Sequence, residues 1–146
     1  MYNWKVFKIT FLLIISFLFT SGTKNQLEDK LVGTWKSTDY WHNESEFIVT
    51  EEKIVTLSIN GQKFGGEDFQ MNGKPVALKY LINNSKSPTW FDLVATDKVS
   101  GVVLMKTKGL IEFISYNKAK ILVNLDNRRL THFDEKYNKM IINLER

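Results

Sequence analysis

Along most of the chain, apolar and polar residues alternate with a period of two. Val55, Leu57 and Ile59 interleave with Thr56 and Ser58, which marks a strand with one buried face. Asn60-Gly61 follows, a dipeptide suited to the two left-handed positions of a tight hairpin turn, and Asn72-Gly73 repeats the signal. Val76, Leu78, Tyr80 and Ile82 form the next alternating set and end at Asn83-Asn84-Ser85. Phe91, Leu93 and Ala95 then face one way and Asp92 and Thr96 the other. Val102 and Leu104 belong to a segment that ends near Lys108-Gly109. Ile111 and Phe113 flank Glu112, Ile121, Val123 and Leu125 flank Asn124, and Met140, Ile142 and Leu144 stand against Asn143 and Glu145.

After the N-terminal segment, no window of helical length carries an apolar stripe at helical spacing; one helical turn is predicted at Asn25–Leu31, before Gly33. Many short strands with tight turns and no intervening helices predict an all-β, antiparallel up-and-down meander. Such a sheet removes its exposed edges by closing into a β-barrel, with an open sandwich as the alternative. No repeat, Pro-rich linker or low-complexity tract divides the chain.

The N-terminus follows a different rule. An apolar run from Ile9 to Phe19 comes after Lys5 and Lys8 and before the small residues Thr20, Ser21 and Gly22. A positive end, an apolar stretch and a small-residue cleavage region make a secretory signal peptide over residues 1–22, with a single domain over 23–146. Lys8 limits the apolar run to 11 residues, short of the roughly 20 that span a bilayer. The expected location is therefore extracytoplasmic, periplasmic or secreted, and an uncleaved anchor is the alternative. No second segment approaches spanning length. With the leader removed, 18 basic residues face 16 acidic ones, and Arg128-Arg129 is the one adjacent basic pair. That distribution lacks the dense basic stripe of a nucleic-acid binder.

The chain has no cysteine, which excludes disulfides, thiolate metal sites and thiol nucleophiles. His42 and His132 stand ninety positions apart without HxH or HExxH spacing, so no metal site is expected. Neither Ser58 nor Ser100 sits in a GxSxG elbow, and Gly65-Gly66 lacks the spacing of a phosphate loop. Glu51-Glu52 and Glu67-Asp68 are neighbours that a strand would point to opposite faces. No catalytic residue and no cofactor is therefore assigned, and the expected protein is not an enzyme. Aromatic residues make up 13% of the chain. Inward-facing Trp35, Val55, Leu57, Tyr80, Phe91, Leu93, Phe113 and Val123 would either line a lumen for a small apolar ligand or fill it, since barrels of about eight strands do either. Tyr40 and Trp41, adjacent aromatics near the end of the first strand, are candidates for contact with a protein partner.

Leu31-Val32-Gly33-Thr34-Trp35-Lys36 resembles the GxW opening of lipocalins and related calycin barrels. The wider pattern is similar to small bacterial lipocalin-like domains that open with L-x-G-T-W. Ser85 to Leu93 matches their polar turn, Pro and hydrophobic-Asp-hydrophobic strand, and Gly109 to Val123 matches their glycine-led hairpin. Arg129 to Phe133 matches a late R-P-T-x-F element, with Leu130 in place of Pro, and the terminal strand ends in Arg146. The resemblance implies a lipocalin-like barrel in which Gly33 lets the chain cross the barrel's end, Trp35 closes the floor and Arg146 stacks on Trp35. It implies no settled activity, because a shared barrel does not carry a ligand with it. Two functions follow: an exported carrier of a small apolar or amphipathic ligand, or an extracytoplasmic interaction or envelope-structural module with a solid core.

Overall fold

The computed structural model describes residues 26–59 and 61–146, with Ile59 described through its backbone alone. The signal peptide expected over residues 1–22, and Asn60 of the first Asn-Gly turn, lie outside the described residues. A short helix, α1 (Gln26–Leu31), leads into β1 (Gly33–Thr38), β2 (Glu44–Val49), β3 (Val55–Ile59), β4 (Gln62–Gly65), β5 (Gln70–Met71), β6 (Lys74–Asn83), β7 (Thr89–Asp97), β8 (Val103–Phe113) and β9 (Lys118–Asn124). A 3₁₀ helix, η1 (Glu135–Met140), precedes the last strand, β10 (Ile141–Glu145). Among the described residues no helix is long and apolar enough to cross a membrane.

The ten strands form one antiparallel sheet in the order β4-β3-β2-β1-β10-β9-β8-β7-β6-β5. Every neighbour is a neighbour in sequence except β1 and β10, which pair and join the two ends of the domain. The sheet is thus a meander that curls into a half-barrel. Its edge strands, β4 and β5, do not pair with each other. Among the described residues the backbone ladder across this seam is reduced to a bridge between Ile54 and Lys79, beside a hydrogen bond from the Tyr80 N–H to the Lys53 carbonyl at 3.3 Å. Gly65, opposite Thr56 at the end of β4, has φ +85°, and a Cβ there would lie 1.9 Å from the Val55 carbonyl oxygen of the neighbouring β3.

Strict alternation of strand direction sorts the turns into two ends. The β1–β2, β3–β4, β5–β6 and β7–β8 turns and the exit of β9 share one end. At the other end lie α1, the β2–β3, β6–β7 and β8–β9 turns, and Arg146. Asn72 and Gly73 make the β5–β6 turn with φ of 51° and 75°, the left-handed pair that the dipeptide favours.

Side chains at alternate positions point into the curl, and the largest fully buried ones are Trp35, Tyr80, Phe47 and Phe91. The segment after β9 runs back over the outer face, where Leu130 is buried with Leu110 and Leu122, and Trp90, Phe133 and Tyr137 pack around them. This second, outer cluster is why Leu110 and Leu122 are buried although they face away from the lumen.

The expected closure into a barrel stops at a half-barrel with β4 and β5 unpaired, and further sequence expectations differ from the structure. The segment break near Lys108-Gly109 is absent, and β8 runs unbroken from Val103 to Phe113. Gly109 serves strand packing, not a turn: a Cβ would lie 2.5 Å from the Phe91 carbonyl oxygen and 2.6 Å from that of Leu122. Val102 and Leu104 are exposed, and Thr107 and Ile111 are the buried, inward positions of that strand.

Candidate ligand-binding site

The interior has two unlike halves. At the α1 end it is filled. The Trp35 indole N–H donates to the Leu31 carbonyl at 2.9 Å, which ties the floor of the curl to the helix C-terminus. Phe113 meets Trp35 edge-on at 6.3 Å between centroids. The Arg146 guanidinium lies 3.9 Å from the Trp35 centroid and donates to the Val32 carbonyl at 3.0 Å and to that of Lys30. A Glu28–Lys53 ion pair at 3.0 Å fastens α1 to the β2–β3 turn. Above this floor, Phe91 stacks on Tyr80 at 5.6 Å and meets Phe47 at 6.4 Å. Burial, with Glu28 and Asp29 nearby, pushes the Tyr80 hydroxyl up to about 12, so the ring stays neutral at ordinary pH. Of the residues expected to line a lumen, Trp35, Val55, Tyr80, Phe91 and Phe113 belong to this packed half.

The opposite half is hollow. A cavity of about 260 Å³ opens toward the β3–β4 turn and the exit of β9. Its wall follows from register. Leu57 of β3 opposes Phe64 of β4, and Leu93 of β7 opposes Thr107 of β8, so these four side chains stand as facing pairs. Leu78 and Val123 fill the intervals, while Phe69, Met105 and Leu125 approach the mouth. Leu57, Leu93 and Val123 are thus the expected lumen residues that line a space. Leu78 belongs to the alternating set that holds Tyr80, whereas Met105 and Thr107 carried no sequence expectation. For Met105 and Thr107 the parity of Ile111 and Phe113, carried back through Gly109, would have found them. The unpaired seam supplies Phe64 and Phe69, whose rings meet at 6.3 Å; side chains, not a hydrogen-bonded ladder, close the wall there.

Tyr40 and Trp41 sit in the β1–β2 turn at this same open end, 46% and 51% exposed, with rings edge-to-face at 5.4 Å. Asp39 orders the turn by accepting from the Trp41 and Asn43 N–H groups and the Asn43 side-chain amide, all at 2.9 Å. Trp41 borders a smaller recess of about 110 Å³ that shares Val123 and Leu125 with the main cavity. Val99, Val102 and Val103 of the β7–β8 turn region add exposed apolar surface at this end.

Outside the sheet, two motif residues far apart in sequence meet. Arg129 grips the buried Asp92 carboxylate with contacts of 2.6 and 2.7 Å, donates to the Gly109 carbonyl at 3.0 Å and lies 4.2 Å over the Trp90 ring. Lys106 at 3.5 Å and the Gly109 N–H at 3.4 Å complete the set around Asp92. Burial works to raise the Asp92 carboxyl, but Arg129, the Gly109 N–H and Lys106 together hold it below its ordinary 3.8. The pair therefore clasps the 125–140 excursion to β7 and β8. Leu130 is buried in the cluster beneath that clasp.

A groove at the α1 end is lined partly by Lys86, Glu112 and Lys120, and the Lys120–Glu112 ion pair at 2.7 Å occupies its polar side. His42 and His132 lie on the surface, and among the described residues no three acidic or histidine side chains are placed to share a metal ion. No family model, curated protein or solved structure matches the chain.

Proposed function

We propose that the chain is an exported, non-enzymatic lipocalin-like protein that binds one small apolar or amphipathic molecule at the open end of its barrel. The observation that carries this reading is the apolar cavity of about 260 Å³ beside a fully packed aromatic half. Ligand sites are mostly apolar clefts with a few placed polar groups, and this wall has that composition. Gly33, Trp35 and Arg146 support the lipocalin-like part of the proposal: Trp35 lies at the floor, with Arg146 over its ring and bound to the carbonyl next to Gly33. Residues 1–22 act as the export signal and no cofactor is required.

Native mass spectrometry of the protein purified from the exported fraction tests the reading. The expected result is a bound mass released by organic solvent from the wild type and absent from Leu93→Trp, whose indole would occupy the cavity. Equal retention of the ligand by Leu93→Trp would overturn the assignment of the site. The exposed Tyr40–Trp41 pair favours a second reading, an interaction module that works through this rim. That reading requires Trp41→Ala to lose a specific envelope partner in a pull-down while folding normally.

A further inference from the structure

Resting on the binding reading, we propose that the cavity selects an uncharged ligand of about ten non-hydrogen atoms carrying one hydrogen-bonding group, which the Thr107 hydroxyl holds. The size follows from comparison with an engineered apolar cavity of about 150 Å³ that binds benzene; scaled to about 260 Å³, the same density gives roughly ten heavy atoms.

The charge follows from what faces the space. No acidic, basic or histidine side chain lines the cavity among the described residues. Lys106 precedes Thr107 but points to the opposite face of β8, where it meets Asp92 at 3.5 Å. Arg146, the guanidinium over the interior, sits at the other end and is committed to Trp35 and two carbonyls. A carboxylate or ammonium entering this wall would lose its water and find no counter-charge, which is strongly unfavourable. Among the described residues the polar side chains on the wall are Gln62, exposed at the mouth, and Thr107, 5% exposed and set opposite Leu93. A hydroxyl can donate or accept, so Thr107 suits an alcohol, phenol or carbonyl group on an otherwise apolar molecule.

Three probes of similar size separate the possibilities: phenylethanol, propylbenzene and phenylacetate, each titrated into the exported protein while the Leu93 and Thr107 amide resonances are followed. Phenylacetate is expected to bind weakest, by at least about tenfold. Thr107→Val keeps the side-chain shape and should weaken phenylethanol by about tenfold while changing propylbenzene by no more than about twofold. Thr107→Ser should restore the wild-type alcohol-to-hydrocarbon ratio. Phenylacetate binding as tightly as phenylethanol, or an unchanged alcohol-to-hydrocarbon ratio in Thr107→Val, would overturn the ligand class while leaving the cavity as a binding site. If none of the three probes moves either amide, the binding reading itself falls and this inference falls with it.

Discussion

Removing Arg129 should destabilise the domain far more than removing an ordinary surface charge. Asp92 is 6% exposed with Arg129 in place, and Arg129→Ala takes both guanidinium contacts from its carboxylate. What remains is Lys106, a side chain 47% exposed and 3.5 Å away, and the Gly109 N–H at 3.4 Å. Breaking one side of a buried ion pair typically costs about 3–5 kcal/mol, because the other charge is left stranded. Lys106 recovers part of that, while the lost stack over Trp90 adds to it, so a loss of about 3 kcal/mol is expected. The double substitution Asp92→Leu with Arg129→Met, apolar and of similar volume, should recover most of the loss. Urea denaturation followed by tryptophan fluorescence reads each variant.

The same pair sets an acid limb. Because the folded Asp92 carboxyl lies below its ordinary 3.8, the pair contributes its full stability above that value. The contribution is lost as pH falls from 3.8 through the lower folded value. In Arg129→Ala burial is less opposed and the folded carboxyl rises toward its ordinary value, so this component of the acid limb should shrink. Asp92→Asn should remove this component of the acid limb altogether. An Arg129→Ala cost under about 1 kcal/mol would place the pair among ordinary surface bridges and refute the reasoning. An acid limb identical in wild type and Asp92→Asn would refute the linkage.

Gly109→Ala forces a methyl group against two carbonyl oxygens at 2.5 and 2.6 Å, neither of which belongs to a flexible side chain. Overpacking of this kind costs about 1–3 kcal/mol, so a calorimetric Tm lower by roughly 5–10 °C is expected. Arg146→Ala removes the cation over Trp35 and the ties to the Lys30 and Val32 carbonyls, and should cost about 1–2 kcal/mol in chemical denaturation. The Trp35 indole N–H resonance should shift in that variant, and Arg146→Lys should recover only part of the loss.

The meander was legible because period-two patterning is a local property: β3, β6, β7 and β9 announce their buried faces, and Asn72-Gly73 announces its turn. Gly109 shows where local reading fails. Among the polar residues of Lys106 to Lys108 it looks like punctuation, yet it is required by the crowding of two strands that the sequence does not place beside it. Asp92 and Arg129 lie 37 residues apart. Each carries an ordinary surface charge by composition, and only the return of the 125–140 excursion over β7 and β8 makes them a buried pair. The cavity was least legible of all. Trp35, Leu57, Phe91 and Val123 share one inward pattern, and no periodicity reveals which layer is packed and which is open. That depends on the sum of side-chain volumes around the curl: large aromatics meet in the Trp35–Phe91 half, while Leu57, Leu78, Leu93, Thr107 and Val123 leave a gap in the other.

The division of the interior bears on why a hole persists. At about 24 cal/mol per Å³ of enclosed cavity, a space of about 260 Å³ has an upper-bound cost of about 6 kcal/mol. The open mouth reduces that figure by admitting water. A single exchange such as Leu93→Phe or Leu78→Phe would fill part of the space without breaking the inward–outward pattern, so the gap is not imposed by the fold. The packed aromatic half, the Arg146 cap over Trp35 and the Asp92–Arg129 clasp all lie away from the cavity mouth, and they supply stability that does not depend on it. Stability concentrated at one end frees the other to keep a shaped apolar space. A binding function gives that space a physical rationale that stability alone does not.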